Sequence, residues 1–220
     1  MNRHKAIMAF GALLFILSLP GLDLRGEIKP DFSPQESAGH AEALLYQGEK
    51  FYKNRDYEKA AETFKQAIRL KPDSAEAHAG LAWVYCELGR NQEAVEALKQ
   101  ATRLKPDFAE AHACLGAVYL VLGRNQEAVE PLKRAIHLKP DFAEAHADLG
   151  WVYSELGRYQ EAVEPLKRAT RLKADSARAH ACLGMVYVKL GNRDAALEEY
   201  KIVQPLDPKM AEGLFNLIYR

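Results

Sequence analysis

An excess of charge of either sign is missing from this sequence: 30 lysines and arginines stand against 30 aspartates and glutamates, for a formal net charge of zero. Without a global positive field nothing draws in a polyanion, which argues against nucleic acid as a partner. Cysteine is scarce too. Cys86, Cys114 and Cys182 are an odd number without metal-ligand spacing. Each falls inside a helical pattern, so each reads as a small packing residue rather than part of a disulfide framework. The motifs that mark catalysis are also missing, with no Walker phosphate loop, no Gly-x-Gly-x-x-Gly after a strand and no His-Glu-x-x-His. The sequence therefore predicts no catalytic residue, no metal ligand and no cofactor.

Long apolar runs are absent except at the start. Arg3, His4 and Lys5 precede the uncharged stretch Ala6 to Leu19, which Pro20 and Gly21 end. A basic start and an apolar run of this length fit a secretory signal peptide, and the run is short for a spanning helix. No Ala-x-Ala cleavage pattern follows, so an uncleaved membrane tether through residues 6–19 is the alternative, and no cysteine lies near enough for a lipoprotein-type attachment. Residues 1–22 are thus expected to be a signal peptide or membrane anchor that places the body outside the cytoplasm, in a periplasm or secreted. Residues 23–40 hold Gly26, Pro30, Pro34 and Gly39 with little periodicity and read as a linker.

Self-similarity organises the rest. Ala75-Glu76-Ala77-His78-Ala79 recurs from Ala109 and again from Ala143, a step of 34 residues each time, with a diverged copy from Ala177 and an earlier one from Ala41. Five units follow: 41–74, 75–108, 109–142, 143–176 and 177–210. Each reads as two helices. In unit 75–108, Leu81, Tyr85 and Leu88 fall at helical spacing before Gly89, and Ala94, Leu98, Ala101 and Leu104 share one face before Pro106. Arg55 stands where the other units carry the inter-helix glycine, and Ala174 where others carry the terminal proline. Pro131 and Pro165 fall inside second helices, where a local kink is expected. Residues 211–220 begin a further helix, expected to cap the array. Its apolar character (Leu214, Phe215, Leu217, Ile218, Tyr219) leaves two roles open, packing on the fifth unit or pairing with a second molecule.

Leu115-Gly116…Tyr119…Gly123…Ala128…Leu132…Ala135…Pro140, with its counterparts in the other units, resembles the tetratricopeptide-repeat signature. The resemblance implies an all-α fold, a right-handed superhelical solenoid of antiparallel helix pairs with a concave side. It implies a non-catalytic scaffold that binds a protein or peptide there. The alternatives are a structural protein dimerising through its C-terminal helix and a targeting subunit of an enzyme complex. The first helix of each pair would line the groove. One row is then Glu42, Glu76, Glu110, Glu144 and Arg178, a deeper row Glu49, Trp83, Ala117, Trp151 and Met185, and a third Tyr52, Cys86, Leu120, Ser154 and Val188. The residues expected to carry binding are Glu76, Trp83, Glu110, Ala117, Leu120, Glu144, Trp151 and Met185. Ala79, Ala113, Trp83 and Trp151 stand where chaperone adaptors use Lys and Asn to clamp a carboxylate, so the expected ligand is instead an apolar or aromatic segment with basic flanks.

Two further patterns have plainer readings. His78, His112, His146 and His180 form a ladder, but stacked helices lie roughly 8–10 Å apart, too far for two rungs to share a zinc ion. Packing is the expected role. Lys99, Lys133 and Lys167 form a basic stripe, with Glu96, Glu130 and Glu164 three residues before them, as on a solvated helix face.

Overall fold

The computed structural model describes residues 34–219, so the apolar N-terminal run and most of the expected linker lie outside the described residues. Those residues form helices α1 (Pro34–Lys53), α2 (Tyr57–Leu70), α3 (Ala75–Glu87), α4 (Asn91–Leu104), α5 (Ala109–Val121), α6 (Asn125–Leu138), α7 (Ala143–Glu155), α8 (Tyr159–Leu172), α9 (Ala177–Lys189), α10 (Arg193–Leu206) and α11 (Pro208–Ile218). No strand occurs among them. The fold is the all-α solenoid of helix pairs that the repeats predict.

Two boundaries need correction. Residues 34–40 are the first turns of α1 and not linker. Pro34 opens the helix because the first turn has no carbonyl to bond, so a missing N–H costs nothing there. The C-terminal helix likewise starts at Pro208 rather than at 211, with the Asp207 carboxylate accepting from the Met210 N–H at 3.0 Å.

The chain divides into two compact units inside α3, one ending at Gly80 and the other starting at Leu81. In the first, Phe64 of α2 is 2% exposed and presses on Gly48 of α1 and Gly80 of α3. A side chain at either glycine would overlap the ring, with a Cβ as close as 2.8 and 2.5 Å. The α1–α2 turn needs a left-handed residue, and Arg55 supplies it at φ 61°. Gly89, Gly123, Gly157 and Gly191 take the same conformation without a Cβ penalty.

In the second unit each first helix meets more neighbours than its partner. Helix α7, for example, packs on α6, α8, α5 and α9. That is why α5 buries a broad face (Ala109, Ala111, Leu115, Gly116, Val118 and Tyr119), whereas α6 carries one buried stripe (Ala128, Val129, Leu132 and Ala135). Close approach is set by glycine again: a Cβ on Gly116 or Gly150 would sit 2.4 Å from Cγ of Leu132 or Leu166. Helices α6 and α8 run unbroken through Pro131 and Pro165. On the outer face Lys99, Lys133 and Lys167 reach Glu96, Glu130 and Glu164 at 3.6, 3.6 and 3.8 Å, so the basic stripe is locally neutralised. The apolar C-terminal helix does pack on the fifth pair. Leu214 and Ile218 join Ala196, with Tyr187, Leu197 and Tyr200 around them.

Candidate functional site

The expected binding residues are placed as follows. Glu76, Glu110 and Glu144 are exposed, and Trp83, Ala117, Leu120, Trp151 and Met185 are half-buried. Ser154 of the third row is buried and offers no groove surface. Trp151 of α7 and Met185 of α9 are brought together. They line an apolar cleft of about 350 Å³, completed by Ala181 and Cys182 of α9 and by Met210, Leu214 and Leu217 at the C-terminal end. Trp83 is not among the residues that line that cleft.

Arg178 forms the rim. Its guanidinium lies 5.7 Å from the Trp151 ring centre and reaches the Asp148 carboxylate at 2.8 Å. Asp148 is mostly buried, and that burial holds its carboxyl above the usual carboxylate range, against the opposing pull of Arg178. A second cleft, of about 260 Å³, continues past this pair and is lined by Glu144, Asp148, Lys173 and Arg178 among alanines and Ser176.

The glutamate row is not a bare anionic surface. Glu110 faces Lys139 at 3.4 Å and Glu144 faces Lys173 at 3.5 Å, each lysine standing at the end of the second helix of the same pair. Their countercharge is therefore already in place, and a ligand's basic flanks would have to compete for it.

The histidine ladder has a defined structural role. A carbonyl can only accept, so Nε2 of each ring carries the hydrogen and donates to a loop carbonyl six residues back. His78, His112 and His146 reach Pro72, Pro106 and Pro140 at 3.1, 3.1 and 3.0 Å, and His180 reaches Ala174 at 3.2 Å. His180 also places Nδ1 2.6 Å from Glu199 Oε2. Each rung ties the inter-repeat loop to the helix that follows it. Among the described residues no group of three or more His, Cys, Asp or Glu is arranged to hold a metal ion.

Several contacts were not anticipated from sequence. The Arg178–Asp148 pair joins residues 30 apart, a repeat length less about one helical turn. That offset was the available signal, because neighbouring first helices run side by side. Arg90, Arg124 and Arg158 each stack on the tyrosine of the preceding helix (Tyr85, Tyr119 and Tyr153, at 4.4, 4.7 and 4.6 Å) while pairing with Glu93, Glu127 and Glu161. The part of α11 in the cleft was legible only as apolar.

Comparison with known proteins agrees with this geometry. The family model of the cilia and flagella-associated protein 70 C-terminal domain, a tetratricopeptide-repeat model, matches residues 31–212. Among solved structures, a MamA protein is 28% identical with a TM-score of 0.70, over 79% of this chain and 94% of that one. YrrB, a TPR protein described as having an unusual peptide-binding site, is 23% identical with a TM-score of 0.70, over 79% and 90%. A thermophilic TPR protein of Thermus thermophilus is 25% identical with a TM-score of 0.60, over 82% and 100%. No curated protein matches the chain.

Proposed function

Because the chain belongs to the tetratricopeptide-repeat family of the cilia and flagella-associated protein 70 C-terminal domain, we propose that it is a scaffold holding a protein partner by an apolar segment in the cleft at Trp151. Proteins of this fold act as interaction scaffolds, and the peptide-binding site attributed to YrrB supports the reading that a chain of this fold can hold a peptide. The observation that carries the proposal is the cleft itself: Trp151, Met185, Met210, Leu214 and Leu217 line it with little polar surface, and Arg178 stands at its edge. An aromatic floor under an apolar pocket is the composition of a binding hot spot. The ligand class is a leucine- or phenylalanine-bearing peptide segment in extended or helical form.

The test is selection of displayed random peptides on the full chain, followed by calorimetric titration of the winners. Truncating a hot-spot residue costs about 2 kcal/mol or more, so Trp151→Ala should weaken binding roughly thirtyfold. Trp83→Ala should leave it within about threefold, because Trp83 does not line the cleft. Winners that bind Trp151→Ala as well as the parent would place the site elsewhere. A second reading is self-association through α11, favoured by Phe215 and Tyr219, 41% and 53% exposed with ring centres 4.4 Å apart. Sedimentation of the full chain beside Phe215→Glu separates the two, because only self-association predicts a dimer that the variant loses.

We further propose export, with the body outside the cytoplasm and residues 6–19 as signal or tether. The support is the basic start and apolar run alone. Among the described residues no helix is long and apolar enough to cross a membrane.

A further inference from the structure

The described residues contain two methionines, Met185 and Met210, and both line the cleft at Trp151. They come from different elements, Met185 from the middle of α9 and Met210 from the first turn of α11. Unit 109–142 carries Ala117 and Phe142 at the same repeat positions, so the repeat itself does not call for methionine there. Met210 is 36% exposed and Met185 is half-buried, which puts both side chains within reach of a small solute. A thioether packs as a hydrocarbon does, and one added oxygen turns it into a polar hydrogen-bond acceptor.

Resting on the reading of this cleft as the partner site, we propose that Met185 and Met210 are peroxide modification sites, whose oxidation to sulfoxides closes the cleft to an apolar ligand and releases the partner. In each transfer the sulfide lone pair attacks one oxygen of hydrogen peroxide. A sulfur–oxygen bond forms, the oxygen–oxygen bond breaks, and the leaving hydroxide takes up the proton of the transferred oxygen as water. The sulfur loses two electrons and the peroxide gains them. The change is reversible, since methionine sulfoxide reductase with a dithiol returns the thioether and releases water and a disulfide. Cys182 lines the same cleft without competing. It is buried, and burial pushes its thiol up to about 12, which leaves little of the thiolate that peroxide attacks.

The experiment treats the full chain with hydrogen peroxide, removes the excess with catalase and maps sulfoxides by peptide mass spectrometry. Met210 should oxidise first and Met185 after it. A methionine-free peptide selected on the reduced chain should bind the oxidised chain at least about tenfold more weakly, through loss of a buried methionine's apolar contact. Reductase treatment should restore the affinity. The double variant Met185→Leu with Met210→Leu keeps the apolar volume and should bind alike before and after peroxide, although Met1 and Met8 still oxidise.

Titration of Trp151→Ala in the reduced state tests the cleft reading separately. A peptide indifferent to that variant would overturn the reading and the release step together. A peptide that needs Trp151 yet binds the oxidised chain undiminished would overturn the release step and leave the reading standing. Trp83→Phe gives a readout without any peptide, because Trp151 is then the sole tryptophan. Its emission should move to the red on oxidation and return on reduction. Three further results would each overturn the proposal: emission unmoved with both methionines oxidised, both methionines untouched in peroxide that oxidises the free amino acid, or a loss of helicity by circular dichroism on oxidation.

Discussion

Asp148 shows how much a single position depends on its surroundings. In sequence it is one acidic residue in a chain balanced at 30 and 30. In the fold it is largely buried, with Arg178 as its countercharge, and burial outweighs that partner. The folded chain therefore keeps the Asp148 proton to a higher pH than the unfolded chain does. By linkage, the stability this group contributes is complete below the ordinary value of 3.8 and is lost as pH rises through the raised folded value. In Arg178→Ala the lowering partner is gone, so Asp148 should titrate at still higher pH, as carboxyl NMR shifts would report. Asp148→Asn should flatten the fall in stability across the same window in denaturant titrations. An Asp148 titration unmoved by Arg178→Ala would mean that the pair is absent in solution.

The second helices differ at one position that is informative at the scale of the element. Ala97 of α4 is 8% exposed, and Pro131 and Pro165 occupy the same repeat position in α6 and α8. An interior proline removes an N–H that would bond to the carbonyl four residues back, here Glu127 or Glu161, and crowds it. Yet both helices continue, with Leu132 and Leu166 fully buried immediately after. Packing of the stripe outweighs the local penalty. Restoring the residue of α4 by Pro131→Ala or Pro165→Ala should stabilise the chain by about 1–3 kcal/mol, the upper end being the helix-interior penalty of proline. Chemical denaturation measures it. The same reasoning explains why the periodicity located these helices despite their prolines: the 3.6-residue apolar stripe survives a missing hydrogen bond. Periodicity did not locate the start of α1, because Pro34 and Gly39 are turn-formers in sequence, although a first helical turn accepts a proline.

For the whole molecule, the open matter is where the solenoid works. A fusion of residues 1–40 to alkaline phosphatase, which is active only where its disulfides form, should be active if the basic start and apolar run direct export. Replacing Leu13 and Leu14 by arginine should abolish that activity, and an inactive parent fusion would rule out export by this segment.

The sequence by itself determined the all-α class, the 34-residue unit and the helix pairs. These follow from short-range rules, apolar spacing and turn residues, that each repeat states again. Only the tertiary structure decided which of the expected residues stand together. Trp151 and Met185 meet because α7 and α9 are adjacent, and their cleft is completed by α11, whose placement no repeat specifies. Glu110, Glu144 and Asp148 acquire their lysine and arginine partners from residues 29 or 30 positions away. Such pairings depend on the offset between stacked helices, a distance in space that the period along the chain does not carry.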